Sequence, residues 1–117
     1  DYSVAIAKQG AIASFVALAK SGTDGQKEMA AGALFALALN YDNKVTIANA
    51  GGIPPLVALA ASGTDVQKNN AAGALRNLAT HPTIKVNIVN ALDELARRGQ
   101  RERAEQLRGE LVSKAPR

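Results

Sequence analysis

The sequence predicts an all-α chain, an α-solenoid of two full three-helix repeats closed by a degenerate C-terminal capping repeat. Three observations lead there. Residues 1 to 39 agree with residues 42 to 80 at 23 of 39 positions, an internal repeat with an offset of 41. A period near 40 leaves paired or tripled helices, or propeller blades. Blades need strands rich in β-branched and aromatic residues, and only 3% of this chain is aromatic. The expected organisation is a single domain over residues 1–117, with units at 1–40, 41–80 and 81–117.

The first unit carries the runs that define the repeat: Val16-Ala17-Leu18-Ala19, Ser21-Gly22-Thr23-Asp24 and Ala30-Ala31-Gly32-Ala33-Leu34 all recur 41 residues later. In the second unit the helix signals are plain. Asp42 is placed to cap a short helix running to about Asn49, and Gly51-Gly52 ends it, because glycine adopts the left-handed conformation without steric cost. Pro54 and Pro55 open a second helix, since a first turn has no use for their missing N–H groups. That helix carries Leu56, Val57, Leu59 and Ala60 and stops at Gly63. Thr64-Asp65-Val66-Gln67 then reads as a reciprocal capping box, recurring from Thr23-Asp24-Gly25-Gln26. The third helix runs to about Ala79 with Ala71, Ala74, Leu75, Leu78 and Ala79 on one face. Each full unit is therefore expected as short helix, helix, longer helix.

Beyond residue 80 the copy degrades. Thr83–Asn90 keeps the offset of 41, after which the best offset is 36, so the Ala50-Gly51-Gly52-Ile53-Pro54 turn has no counterpart. One fused helix from about Thr83 to Arg98 is expected, then a last helix from Gln100 to about Ser113. That helix keeps Ala104, Leu107 and Leu111 inward and turns Arg and Glu outward, as a terminal repeat must to stay soluble.

The runs Ala50-Gly51-Gly52-Ile53-Pro54-Pro55-Leu56-Val57 and Ala71-Ala72-Gly73-Ala74-Leu75-Arg76-Asn77-Leu78-Ala79 resemble the armadillo repeat family, in its catenin-like branch. The resemblance implies a right-handed superhelix whose third helices line a concave groove for extended peptides or partner proteins. It further implies that Asn77 stands where an asparagine often bonds the backbone of a bound peptide. The equivalent residues are Ala36 and Ser113, so this ladder has one rung. Four residues earlier, the importin-like branch has tryptophan and this chain has Gly32, Gly73 and Gly109, which disfavours recognition of nuclear localisation signals.

Projected onto a groove-facing stripe, the third helices offer Met29 and Phe35 from the first unit, Asn69, Asn70, Arg76 and Asn77 from the second, and Gln106 from the third. Together they read as a polar and cationic recognition patch. Asn69, Asn70 and Arg76 read equally as solvated helix residues, whereas Asn77, between Leu75 and Leu78, needs a partner if partly buried. Phe35 reads either as an exposed anchor or as part of the first inter-unit contact. The first unit opens without a polar cap, so for Val4, Ile6, Ile12 and Phe15 two expectations stand: the chain is a piece of a longer array, or this apolar face pairs with something, a second copy included.

Charge adds little. The net charge is +4, yet residues 1–95 balance, and all the excess lies in the last 22 residues. That tail lacks aromatics for stacking, and Glu94 with Arg98 and Arg101 with Glu105 form i,i+4 pairs of a solvated helix. No nucleic acid is expected as a partner. Apolar runs stop short of a membrane span and no signal-peptide pattern opens the chain, so no membrane partner is expected and a cytoplasmic setting is, with the nucleus left open. Zero cysteines exclude disulfides, thiolate nucleophiles and Cys-based metal sites, and a single histidine, His81, excludes a multi-histidine one. Gly51-Gly52 lacks the Gly-Lys-Ser/Thr of a phosphate cradle, and the adjacent Asp93 and Glu94 face different ways on a helix. No catalytic residue, cofactor or metal is expected. The expected function is a non-catalytic protein–protein interaction module. The alternative is a self-associating structural fragment or engineered repeat scaffold, which the high identity of the two units also fits.

Overall fold

In the computed structural model, described for the backbone of residues 2–111 and the side chains of residues 6–111, every regular element is helical. The helices are α1 (Tyr2–Ser21), α2 (Asp24–Leu37), α3 (Tyr41–Asn49), α4 (Ile53–Ser62), α5 (Asp65–Leu78), α6 (Pro82–Arg97) and α7 (Arg101–Leu111).

The second unit forms three helices, as its punctuation predicts. Gly51 takes φ 81°, and the amides of Gly51 and Gly52 close back on Ala48 O and Ile47 O, a Schellman ending for α3. Gly52 is required by close approach: a Cβ there would stand 2.7 Å from Cγ2 of Ile47. Both capping boxes form. Thr23 and Thr64 accept from the amides of Gln26 and Gln67, whose side chains accept from the threonine amides in return.

Two expectations are corrected. The N-cap of α3 is Asn40, whose Oδ1 accepts from Asn43 N at 3.1 Å, and Asp42 instead lies in the first turn. The first unit has two helices, because α1 runs unbroken for 20 residues. Where the second unit has Gly51-Gly52-Ile53-Pro54-Pro55, the first has Gly10-Ala11-Ile12-Ala13-Ser14. One glycine without proline removes no backbone donor and forces no turn, so the two expected helices fuse. Gly99, which the offset of 36 aligns with Gly63, ends its helix in a different way. It has φ 100° and terminates α6 with Gln100 N on Leu95 O, whereas Gly63 at the end of α4 is extended. The fusion expected in the third unit is present as α6; the expected end of the last helix at Ser113 lies outside the described residues.

Packing follows one pattern. The third helices lie side by side, α2 against α5 and α5 against α7, while α4 sits beneath α5 and touches α1 and α6. The core is continuous and aliphatic, running from Ile12 and Leu34 through Ile47, Leu56, Leu75 and Leu78 to Ile88, Leu92 and Leu107.

Candidate functional site

On α5, Gln67, Asn70 and Asn77 fall at spacings of three and seven and share one stripe, while Asn69 and Arg76, seven apart, share the next. The structure separates the two stripes by function. Gln67, only 2% exposed, donates from Nε2 to Asp24 O at 3.0 Å. Asn70 Nδ2 donates to Glu28 O at 3.2 Å and Asn77 Nδ2 to Phe35 O at 3.1 Å. Three amides thus tie α5 to successive carbonyls of α2 along its length. Asn70 and Asn77, expected to meet a partner, are engaged within the chain, and Asn77 finds the partner its half-buried position requires.

The other stripe faces solvent: Asn69 and Arg76 are exposed, and Arg76 belongs to no ion pair among the described residues. Met29 (50%) and Phe35 (37%) are exposed on α2. Phe35 packs at the contact between the first two units and is also partly exposed. Its ring fills the space above Gly73, where a Cβ would stand 2.6 Å from Cε2, and its remaining surface is open. Gln106 is exposed, but its Oε1 accepts from Arg103 Nη1 at 3.2 Å.

Arg103 is the residue that sequence reasoning missed. Counted among the solvated tail, it is half-buried and places Nε and Nη2 on Ala60 O at 3.2 and 2.7 Å. Ala60 O belongs to the last turn of α4, where carbonyls lack helical partners and a cation is favoured. A signal existed: under the offset of 36, Arg103 stands where Gln67 stands, and both fasten one helix to the backbone of another.

Of the expected self-association face, Ile6 is 55% exposed, Phe15 is half-buried against the core, and Val4 lies outside the described side chains. Ile12 is fully buried within the chain's own core and offers nothing to a second copy. It occupies the inner side of the straight α1, where it meets the apolar cluster directly.

Among the described residues, three surface ion pairs lie at the C-terminal end: Arg97–Glu94, Arg98–Glu94 and Arg108–Asp93. The Arg98 and then the Arg97 guanidinium hold the Glu94 carboxyl below its ordinary range. The expected Arg101–Glu105 pair is not among the ion pairs of the described residues. His81 caps α6, its Nδ1 accepting from Ile84 N at 3.4 Å, with its ring 5.2 Å from that of Tyr41. No single helix among the described residues is long and apolar enough to cross a membrane.

A cavity of about 800 Å³ is lined by the end of α1, the starts of α2 and α5, and α4. Sequence reasoning did not foresee it, because its lining comes from four helices spread over residues 19–67 rather than from any motif.

Among families of known proteins, the armadillo/beta-catenin-like repeat matches residues 40–80. No match to the chain emerged among curated proteins or solved structures. The matched segment contains the α3–α4–α5 unit with its glycine turn, double proline and capping box in place. Residues 40–80 are thus similar to an armadillo/beta-catenin-like repeat in both sequence and helix order.

Proposed function

We propose that the chain is a non-catalytic protein-interaction module, a short right-handed solenoid whose third helices offer a shallow recognition surface to a peptide or protein. Repeats of this family are generally protein-interaction modules and typically non-enzymatic. The observation that carries the reading is the division of labour on α5. One stripe of amides holds the helices in register, and the neighbouring stripe exposes Arg76 and Asn69, neither of which bonds another helix among the described residues, with the partly exposed Phe35 ring over Gly73. A cation able to form bidentate bonds, next to a partly exposed aromatic, is the composition of an interface anchor.

The test is selection of peptide ligands from a random display library, followed by binding to Arg76→Ala and Phe35→Ala. Selected ligands should lose about tenfold or more in affinity to each variant, the scale of an interface anchor, while the helical circular dichroism stays unchanged. Ligands indifferent to both substitutions would sink the proposal.

The second reading, self-association through the first unit, has one observation in its favour. Ile6 is exposed, whereas its repeat equivalent Ile47 is fully buried. Light scattering of wild type and Ile6→Glu decides it: a concentration-dependent dimer abolished by the charge supports it, and a constant 12.1 kDa monomer removes it.

A further inference from the structure

The α3–α5 unit rests on the unit before it by two devices, and the first unit lacks most of both. The short helix α3 lies on α1 and α2, with Ile47 fully buried. The stripe of Gln67, Asn70 and Asn77 donates to carbonyls of α2. The repeat offset of 41 names the first unit's counterparts. Gln26 keeps an amide, but Met29 stands for Asn70 and Ala36 for Asn77, and all three are exposed. Ile6 stands for Ile47 and is 55% exposed, on an α1 that runs unbroken.

More than missing prolines keeps α1 straight. Gly10 matches Gly51, so the residue able to take the left-handed turn is still in place. Ala11, however, matches Gly52, where a Cβ would stand 2.7 Å from Cγ2 of Ile47 and 2.9 Å from its carbonyl oxygen. The same bend in the first unit drives the Ala11 methyl into Ile6, so Ile6 does not turn in as Ile47 does. A unit stacked on this face in the α2–α5 manner would meet no short helix reaching back to it, and one amide in place of three. The other end of the chain is no better match. The exposed side of α7 carries Arg101, Glu102 and Glu105, and setting those against Ile6, Met29 and Ala36 strips charges of water without giving them partners. We infer that the α1–α2 face turned away from α5 is a stop: it refuses a further repeat in the chain's own stacking register, and with it the head-to-tail growth that a heterologous contact permits. The inference rests on neither reading above, since it concerns the stacking of units and not capture of a peptide or symmetric pairing through Ile6.

The experiment joins residues 41–80 a second time, ahead of residue 1 of the whole chain. The chain has no cysteine, so Ala74→Cys in the added copy alone reports its packing through the rate of thiol modification, against the same substitution in its own place. On the wild-type face the added thiol should react at least about tenfold faster than that reference. Met29→Asn with Ala36→Asn, both at exposed positions, should slow it about tenfold or more, the scale of two hydrogen bonds. Ala11→Gly with Ala13→Pro and Ser14→Pro should slow it further. Helical circular dichroism of each variant without the added copy checks that the chain folds, and if the proline variant does not, the asparagine pair decides alone. Two results overturn the inference: a thiol as protected on the wild-type face as in its own place, or a rate that the two asparagines leave unchanged.

Discussion

Gln67 and Gln26 hold the same place in the same capping box, yet their surroundings differ. Each returns its side-chain oxygen to the threonine amide. Gln26 is exposed, whereas Gln67 is 2% exposed and also donates to Asp24 O across the α2–α5 contact. Removing Gln26 leaves water to take its place. Removing Gln67 leaves a part-buried carbonyl and amide short of partners and opens a void. We expect Gln26→Ala to cost about 0.5–1 kcal/mol and Gln67→Ala about 2–4 kcal/mol, by urea denaturation. Equal losses would show that the cross-helix bond contributes nothing. The same contrast explains what was legible at this scale. The capping boxes follow from residue types alone, because their partners are three residues apart. That Asn70 and Asn77 reach α2, and Arg103 reaches Ala60, depends on contacts about forty residues away, which no local pattern encodes.

Helix boundaries were readable where the sequence forces the backbone and unreadable where it merely permits. Gly51 with Pro54 and Pro55 compels a turn, and α3 and α4 separate there. The single Gly10 permits one, and α1 continues through it. Glycines of this kind divide into two classes with opposite predicted effects. Gly10 and Gly109 are inside α1 and α7, and a Cβ at either meets nothing within 4 Å. Alanine at each should stabilise by about 0.5–1 kcal/mol, through helix propensity and a less flexible unfolded chain. Gly63 is different, for its Cβ would stand 2.6 Å from Leu59 O and 2.7 Å from Oε1 of Gln67. Gly63→Ala must disturb the end of α4 or the capping box of α5, and should destabilise by about 1–3 kcal/mol. Thermal melts of the three variants would settle the ordering, and a stabilising Gly63→Ala would contradict the described junction.

At the scale of the whole molecule, α4 and α5 occupy the middle. They contact α1 and α2 on one side and α6 and α7 on the other, and the radius of gyration is 13.5 Å, against about 13 Å for a compact domain of 100 residues. The chain is thus short enough to behave as one body, yet its contacts run from unit to unit as in a repeat array. Which description governs its fluctuations is measurable, because side-chain fastenings lie on both flanks of the central pair and one on each can be removed. Gln67 ties α5 to α2, and Arg103 ties α7 to the end of α4. Losing the charge-assisted bonds of Arg103 should cost about 1.5–3 kcal/mol. If neighbours are coupled only through their shared faces, Arg103→Ala lowers amide-exchange protection in α7 and adjoining α6, and Gln67→Ala lowers it in α2 and α1. Protection in α4 and α5 then changes least in either variant. The double variant should show the sum of the two losses to within about 0.5 kcal/mol, since the sites share no partner. We expect this graded pattern, because neither fastening reaches the opposite end of the stack. Uniform loss of protection across all seven helices from either substitution would mean that the units open only together, and the flanking helices would then be parts of one cooperative core.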